Sequence, residues 1–336
     1  MSTRSNLLKI LEKNKGGYVS GQELADDLDV SRTAVWKAIK ELQNDGYSIT
    51  ATTNKGYSLS PTSDILSSEA IVQNGAKVTD ADYIHIYKEV DSTNNEAKRL
   101  IMEDKSFGTI IFAQKQNSGK GRRGRAFSSP AGDSIYVSFI LEPLLDVKDS
   151  LLITVAASVA VARAVEQIGI LDGTSLNPKI KWVNDVYLEN KKICGILTEA
   201  VSDVESGQIQ SLVLGIGLNV NININDFPKD LKNIVGTVNT PPGRRNKFAA
   251  LIINEVFRVQ KEINQYASNR SDEPVFMDEY RQRSMILGNN IYIIRDEERI
   301  EAKAIDIDRH GGLWVRYKNG KTELLNTGEI SIRIND

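Results

Sequence analysis

The spacing of apolar residues over the first sixty positions predicts three short helices that pack into a small domain. Helix signals run from Ser5 to Glu12, and Ser20 can cap a second helix that continues through Leu28. Ser31 can cap a third helix, in which an apolar residue recurs every three or four positions. The predicted buried stripe of this third helix is Val35, Ile39 and Leu42.

A hairpin is predicted after these helices, because residues alternate between polar and apolar on either side of 54–56. Helix, turn, helix and hairpin in this order are typical of a winged helix-turn-helix, whose last helix enters the major groove of DNA. The alternative is a small helical domain that contacts other proteins. The residues predicted to face DNA are Ser31, Arg32, Thr33, Trp36, Lys37 and Lys40 on the third helix and Lys55 at the hairpin tip.

Beyond residue 83 the pattern changes to strands and longer helices, which predicts a larger domain. Strand-like segments are predicted at 84–90, 109–115, 135–142, 179–201 and 208–221. Asp91 or Ser92 can cap a helix, and 151–168 is apolar on nearly all sides, as a buried helix requires. A further amphipathic helix is predicted at 246–267. This order favours an α+β fold, with a mixed sheet packed by helices.

The last part of the chain, 288–334, consists of short strand-like runs separated by turn residues, and it predicts a small β-barrel. The turns are expected at Gly311-Gly312 and Asn319-Gly320. The predicted domains are a winged helix-turn-helix at 1–62, a linker with a short helical piece at 63–82, a central α+β domain at 83–270 and a barrel at 284–336.

Composition limits the classes of protein that fit this pattern. The chain has 336 residues and a formal net charge of -2, so any contact with nucleic acid must come from a local basic patch. A lone cysteine, Cys194, cannot form an internal disulfide, and with two histidines a zinc site is not expected. No targeting leader or membrane span is expected either. These features predict a cytoplasmic protein without a membrane partner.

The loop after the strand at 109–115 contains the densest group of cations in the chain. Lys120, Arg122, Arg123 and Arg125 stand among three glycines. Glycines let the backbone approach a ligand closely, and guanidinium groups bind phosphate or carboxylate oxygens in pairs. The loop therefore predicts an anion site, most simply for a phosphate ester. A mobile basic surface loop without a ligand is the alternative.

Residues 119–124 also match G-x-G-x-x-G, the fingerprint of dinucleotide-binding folds. That fingerprint requires a helix that opens at the third glycine, so that its N-terminus faces the pyrophosphate. Here the residues 128–132, with two serines, a proline and a glycine, break a helix instead. A dehydrogenase-type nucleotide fold is therefore not expected.

Five ordered motifs resemble those of the bifunctional biotin-protein ligases, also called biotin operon repressors. The motifs are DSTN at 91–94, QNSGKGRRGR at 116–125, KWVND at 181–185, KKICGILTE at 191–199 and GIGLN at 215–219. The resemblance covers essentially the whole chain. It implies an N-terminal winged helix, a central α+β domain of the class II synthetase-like or SH2-like kind, and a C-terminal SH3-like barrel.

The resemblance also implies a two-step reaction. Biotin and MgATP give biotinyl-5′-AMP and pyrophosphate, and a lysine of biotin carboxyl carrier protein then takes the biotin. Because the biotin carboxylate attacks a phosphate, two anions meet and fixed cations must compensate for their charge. Operator DNA and a second copy of the chain in a homodimer are the other implied partners.

The family assigns these activities to particular residues of the chain. The biotin-binding residues are Ser92, Thr93, Asn94, Gln116, Lys120, Gly121, Arg122 and Lys192, of which Lys192 and Arg122 are catalytic. Neutral donors and acceptors among them suit the ureido ring of biotin. The nucleotide-binding candidates are Arg125, Asn184, Asp185 and Asn219, with Mg²⁺ expected to arrive with ATP near Asp185.

Plainer alternatives remain for several of these residues. The segment 91–94 could serve only as a helix cap, Lys192 only as a solvated lysine, and 184–185 only as a turn. The chain departs from the family at Lys120, where arginine is frequent, and at Phe127, where tryptophan is frequent. Alternative functions are a lipoate or octanoate ligase of the same superfamily and a biotin-sensing regulator without catalysis.

Overall fold

The computed structural model describes residues 2–78, 81–145, 149–202, 208–269, 273–295 and 298–326, and the backbone of 331–334. The N-terminal domain has the predicted helix-turn-helix with a two-stranded wing. Its elements are α1 Thr3–Lys13, α2 Gly21–Asp27, α3 Arg32–Asn44, β1 Ile49–Thr52 and β2 Gly56–Leu59. Ser20 and Ser31 cap α2 and α3 as predicted, each with its hydroxyl accepting a backbone N–H three residues later.

The core of this domain is separate from the core of the rest of the chain. Val35, Ile39 and Leu42 are buried in it, which confirms the predicted stripe of α3. The segment that follows the wing contains α4, Ser68–Gln73, and packs against both domains. Asp64 accepts the backbone N–H of Gly243 at 3.1 Å and of Arg245 at 2.8 Å. This connecting segment is therefore anchored to the catalytic domain.

The central domain is a seven-stranded mixed sheet in the order β3-β4-β5-β9-β8-β7-β6, in which only β3 and β4 are parallel. The strands are β3 Ile84–Tyr87, β4 Ile110–Ala113, β5 Ile135–Leu141, β6 Lys179–Lys181, β7 Asp185–Leu188, β8 Lys191–Ser202 and β9 Ile209–Leu218. The helices are α5 Thr93–Met102, α6 Leu151–Leu171, α7 Arg245–Ser268 and α8 Phe276–Arg283. This arrangement confirms the predicted α+β fold.

Helix α6 is long and apolar enough to cross a membrane by length and composition alone. Its most apolar window is nevertheless 83% buried inside the protein, against α7, α8 and the central sheet. It is therefore the core helix that the sequence predicts.

Helix α8 was not predicted, although it joins the central domain to the C-terminal domain. Its buried residues Phe276, Met277 and Tyr280 are too few for a clear helical pattern. Tyr280 donates to the backbone oxygen of Val183 at 3.2 Å, and Arg281 donates to that of Ile307 at 2.9 Å. The helix therefore links the central sheet to the C-terminal domain.

The C-terminal domain is a five-stranded antiparallel sheet in the order β13-β12-β11-β10-β14, as expected for an SH3-like domain. The strands are β10 Asn290–Arg295, β11 Glu298–Ile307, β12 Leu313–Tyr317, β13 Thr322–Leu325 and β14 Ser331–Ile334. Gly311 and Gly320 lie in the predicted turns with φ of 86° and 82°. The indole N–H of Trp182 donates to the backbone oxygen of Gly311 at 2.9 Å, which fixes this domain against the sheet.

A buried ion network fastens α6 to α7 and α8. Arg163, 8% exposed, lies within 3.8 Å of Glu255, 3.3 Å of Glu262 and 2.6 Å of Glu279. Burial raises the pKa of Glu279, but the hydrogen bonds from Arg163 and Arg283 outweigh it, so the pKa lies below its usual value. Glu279 is thus ionised and stabilises the fold at neutral pH.

Replacing Arg163 with methionine is expected to lower the free energy of unfolding by about 3–5 kcal/mol, because it leaves buried carboxylates without their partner. Because the pKa of Glu279 is lowered in the folded wild type, its stabilisation is lost as the pH falls, and the deficit of the variant should shrink in acid. Urea unfolding at neutral and acid pH measures both effects. Arg258→Met is the control, since Arg258 is 58% exposed in the same network and should cost about 0–1 kcal/mol. Equal losses in the two variants would contradict the prediction.

Candidate active site

The basic loop between β4 and β5 forms one wall of a cavity of ≈ 640 Å³. Nine residues between Asn117 and Ala126 line it, together with Leu197 and Glu199 of β8. The loop makes a single 3-10 turn at Arg122–Gly124 and is extended again at Arg125. No helix opens at Gly124, which confirms that this is not a dinucleotide-binding turn.

Glycine permits the tight folding of this loop. The backbone N–H of Gly121 donates to Arg125 at 2.7 Å, and that of Phe127 donates to Gly119 at 2.8 Å. A Cβ at position 119 would lie 2.3 Å from the backbone oxygen of Phe127, so a side chain there would separate the two arms of the loop. The loop therefore presents backbone groups and cations to the cavity on a closely paired scaffold.

The ring of Phe127 rests on two glycines of the central sheet, which the sequence analysis did not anticipate. Gly195 on β8 and Gly217 on β9 are register partners. A Cβ at position 195 would lie 3.0 Å from the Phe127 ring, and a Cβ at position 217 would lie 2.3 Å from it. The glycines of the KKICGILTE and GIGLN motifs could have indicated this contact, because a glycine inside a strand often marks a place where another group packs close to the backbone.

The DSTN segment lies at the start of α5, directly against the loop. Ser92 is buried at the N-cap position, but its side chain makes no capping hydrogen bond, unlike the predicted cap. The backbone N–H of Thr93 donates to Gln116 Oε1 at 2.8 Å, and Gln116 Nε2 donates to Ser129 Oγ at 2.8 Å. The structure thus brings together Ser92, Thr93 and Gln116, three of the residues that the resemblance assigns to biotin.

Asn94 is also at this corner, but its amide is engaged inside the protein. It is 3% exposed, donates to Glu199 Oε2 at 2.8 Å and accepts from Ser138 Oγ at 2.6 Å. A Cβ at position 215 would lie 2.2 Å from Asn94 Oδ1, so Gly215 makes room for this amide. Asn94 therefore joins α5 to strands β5, β8 and β9.

The predicted cationic and nucleotide-binding residues pair with each other. Lys192 Nζ lies 2.7 Å from Asp185 Oδ1, and Arg122 Nη1 donates to Asn184 Oδ1 at 3.1 Å. Burial lowers the pKa of Arg122, and nearby Asp185 partly offsets this. A partly buried guanidinium in a cleft favours a bound anion, because an anion restores the charge balance that burial removes.

The other cations of the loop take different directions. Lys120 Nζ donates to Asn95 Oδ1 at 2.6 Å on the exposed side of α5. Gly121 and Arg125 line the cavity. Lys192 and Arg122 thus have an acidic and an amide partner, respectively, where β6 turns into β7.

Asn219 follows β9 and is held beside Lys192. Its backbone N–H donates to Ile193 at 2.8 Å, and its Nδ2 donates to Gly236 at 3.1 Å. Asn219 is 4% exposed, and its Oδ1 has no hydrogen-bond partner. A buried amide oxygen without a donor is costly, so this position suits a ligand that supplies an N–H.

Cys194 lies in the core of the central domain. It is buried and its thiol pKa is raised by burial, as expected for a core residue. Over the described ranges, no three or more His, Cys, Asp or Glu side chains form a group that could hold a metal ion.

The predicted DNA-facing residues of α3 share one exposed surface. Trp36 is 52% exposed despite its size. At the wing, Lys55 Nζ lies 5.8 Å from the ring centre of Tyr18, whose hydroxyl accepts from Thr52. The sequence analysis missed Tyr18, since it lies outside α3 and the wing. The predicted residues that are exposed are Ser31, Arg32, Thr33, Trp36, Lys37, Lys40 and Lys55.

Three protein-family models match successive parts of the chain. An HTH domain matches residues 3–58, the biotin/lipoate A/B protein ligase family matches 86–219, and the biotin protein ligase C-terminal domain matches 286–333. The chain is 31% identical to the bifunctional ligase/repressor BirA of Bacillus subtilis over 94% of this chain and 95% of that protein. It is 26% identical to the bifunctional ligase/repressor BirA of Escherichia coli over 95% of this chain and 94% of that protein.

Solved structures share the fold of most of the chain. The biotin protein ligase of Aquifex aeolicus, in complex with biotin and ATP, superposes with a TM-score of 0.58 at 24% identity. The match covers 75% of this chain and 99% of that one.

Proposed function

Since the chain belongs to the family of bifunctional biotin-protein ligases and repressors, we propose that the cavity between the basic loop and β8 is where it activates biotin with ATP. The product of this step is biotinyl-5′-AMP, from which biotin passes to a lysine of a biotin carboxyl carrier protein. One observation carries the assignment. Asn94, the neighbour of Thr93, and Lys192 both lie against glycines of the paired strands β8 and β9: a Cβ at Gly215 would be 2.2 Å from Asn94 Oδ1, and one at Gly195 would be 3.4 Å from Lys192 Nζ. We call this glycine-lined part of the sheet the trough.

The neutral side of the trough suits the ureido ring of biotin. That ring has two N–H donors and one carbonyl acceptor, and Ser92, Thr93 and Gln116 are neutral groups that match it. The half-buried ring of Phe127, which rests on Gly195 and Gly217, offers an apolar surface against which the ring system of biotin can pack. We assign Asn94 to the support of this corner, because its amide already has protein partners on both sides.

The cationic side suits the reacting groups. Lys192 and Arg122 would hold the biotin carboxylate and the α-phosphate together and stabilise the charge that develops between them. Mg²⁺ would neutralise the ATP phosphates, and the carboxylate of Asp185, beside Lys192, would help to hold it. Asn184 and Arg125 complete the phosphate side of the site.

We assign the adenine base to a position beside Asn219. The unpaired Oδ1 of Asn219 is an acceptor, so it can pair with the exocyclic amino group of adenine. ATP is the nucleotide that the family reaction uses.

Incorporation of labelled biotin into an apo carrier domain tests the proposed function. We expect ATP-dependent incorporation of biotin and none of lipoate or octanoate, since the helix-turn-helix and the arginine-rich loop accompany biotin ligases in the family to which the chain belongs. Transfer of lipoate or octanoate alone would support the alternative ligase. Binding of biotin without adenylate formation would support a sensor without catalysis.

Replacing Arg122 with alanine is expected to speed the release of biotinyl-5′-AMP by about 10- to 100-fold, because a charge-assisted hydrogen bond to the phosphate contributes about 1.5–3 kcal/mol. Gly121→Ser should act in the same direction, because Gly121 pairs tightly with Arg125 across the loop. Release of radiolabelled adenylate measures the rate. The control is Arg32→Ala in the DNA-binding domain. An unchanged release rate in both loop variants would contradict a role of the loop in holding the adenylate.

We propose that biotinyl-5′-AMP promotes a homodimer that binds operator DNA in the cytoplasm. A single winged helix offers a small contact, whereas two related by a twofold axis recognise paired half-sites. Operator DNA should in turn tighten adenylate binding by the same factor. Sedimentation and operator titration, with and without adenylate, measure both effects.

Lys37→Ala is the control for this scheme, since Lys37 is exposed on α3. It should make the slope of log K for operator binding against log salt concentration shallower by about one. Adenylate-driven dimerisation should stay unchanged. Equal operator affinity with and without the adenylate would contradict the proposed regulation.

A further inference from the structure

The exposed side of α3 carries a large aromatic residue, Trp36. It is 52% exposed, whereas the other two tryptophans of the chain, Trp182 and Trp314, are buried and half-buried. Among the residues that the structure describes, none accepts a hydrogen bond from its indole N–H. A partner that covers Trp36 would remove apolar area from water and could pair this donor.

The neighbours of Trp36 on the helix indicate what kind of partner that is. Residues three and four apart on a helix share a face, so Trp36 lies beside Thr33 and between Arg32 and Lys40. All four side chains are exposed. The buried side of α3 packs on α1, α2 and β1. The tryptophan thus stands among cations, on the surface that the proposed function assigns to DNA.

The cations and the tryptophan would have different tasks in such a complex. Contacts of lysine and arginine with phosphates supply affinity and orientation, but the phosphates are the same for every sequence. Trp36 has no charge and gains little from phosphates. Its ring and its N–H can gain from the base edges in the major groove, where the sequence is read.

The chemistry of the indole selects one base. An indole offers a broad apolar surface and one N–H donor, and it has no acceptor. In the major groove guanine presents two acceptors, adenine an acceptor and a donor, and cytosine a donor. Thymine presents an apolar group, its C5-methyl, next to an acceptor, O4. Both features of the indole therefore find a counterpart on thymine.

We infer that Trp36 reads a thymine in each half-site of the operator, with its ring against the C5-methyl and its N–H directed at O4. The inference rests on the proposed function, in which α3 of each subunit of a dimer enters the major groove. It deepens that function, because it assigns a base to one position of the recognition helix. The twofold axis of the dimer places the second thymine on the opposite strand of the other half-site.

Uracil substitution in the DNA tests the contact with the methyl group. Half-sites are first selected from random duplex DNA with the full-length protein and biotinyl-5′-AMP. Each thymine is then replaced by uracil, which removes the C5-methyl and leaves O4 and the base pairing unchanged. At one position we expect uracil to weaken binding of the wild type about fourfold, the effect of one buried methyl group. Uracil in both half-sites should weaken it about 15-fold, because the two contacts add.

Two substitutions of Trp36 show whether this residue is responsible. Trp36→Gln removes the aromatic ring, so it should bind more weakly and lose the sensitivity to uracil at that position. Trp36→Phe keeps an apolar ring without the N–H, so it should bind more weakly than wild type but remain sensitive to uracil. Lys37→Ala is the matched control, which should lose affinity for all sequences and keep the full uracil effect. Thermal unfolding and carrier biotinylation should match wild type in every variant, because Trp36 and Lys37 are exposed residues of the DNA-binding domain.

Several results would overturn the inference. A selected half-site without thymine, or uracil effects that are equal in the wild type and in Trp36→Gln at every thymine, would each do so. An equal loss of affinity for selected and random DNA in Trp36→Gln would show a contact with the backbone instead. Loss of adenylate-driven dimerisation in that variant would place Trp36 between subunits. Selection of no sequence by the wild type would reject the proposed operator binding itself, so the two failures are distinguishable.

Discussion

Replacing Lys192 with alanine is expected to slow the formation of biotinyl-5′-AMP by about 10²–10³-fold, the usual effect of removing one electrostatic donor from a reaction centre. Lys192 Nζ lies 2.7 Å from Asp185 Oδ1. A Cβ built at Gly195 would be 3.4 Å from the same Nζ and 3.0 Å from the ring of Phe127. The ammonium group is thus held at the trough where the two anions must meet.

Biotin-dependent exchange of pyrophosphate into ATP measures this step without the carrier protein. Lys191→Ala is the matched control, because the neighbouring lysine donates to the backbone oxygen of Asn233, away from the trough. Operator binding by Lys192→Ala preloaded with adenylate should stay close to wild type. An exchange rate within threefold of the wild-type rate would contradict a catalytic role of Lys192.

Removing residues 1–62 is expected to abolish specific operator binding, a loss of at least about 10³-fold, because specific binding exceeds non-specific binding by that factor or more. All the predicted DNA-facing residues lie within the removed part. Biotinylation should persist, because the two domains have separate cores and Asp64, which anchors the connecting segment to α7, is retained.

The truncation removes the packing of α1 on α4. It also removes the ion pair of Lys88 with Asp45, the hydrogen bond from Lys15 to the backbone of Ser63, and that from Ser5 to Glu69. A modest fall in biotin affinity is therefore expected, since exposed ion pairs contribute about 0–1 kcal/mol each. Gel shift with operator DNA and carrier biotinylation test the two activities separately. Specific DNA binding by the shortened chain would contradict the assignment.

The amino-acid sequence by itself determined the elements that depend on local rules. The caps Ser20 and Ser31, the apolar stripe of α3 and the glycine turns at 311 and 320 were predicted correctly, because each depends on neighbours within a few residues. The buried helix α6 was predicted from its apolar residues alone, and the basic loop was recognised from its composition. Helix α8 was missed, because eight residues with three buried positions give too weak a period.

Tertiary structure decided how the site is assembled. Asn94 and Glu199 are separated by 105 residues, and the packing of α5 on β4, β5 and β9 brings the amide to the carboxylate on neighbouring β8. Phe127 lies over Gly195 and Gly217 because the antiparallel pairing of β8 with β9 places the glycines of two separate motifs side by side. Sequence motifs name the polar groups of a site. The direction of their hydrogen bonds depends on which buried partner each one faces, and long-range packing decides that.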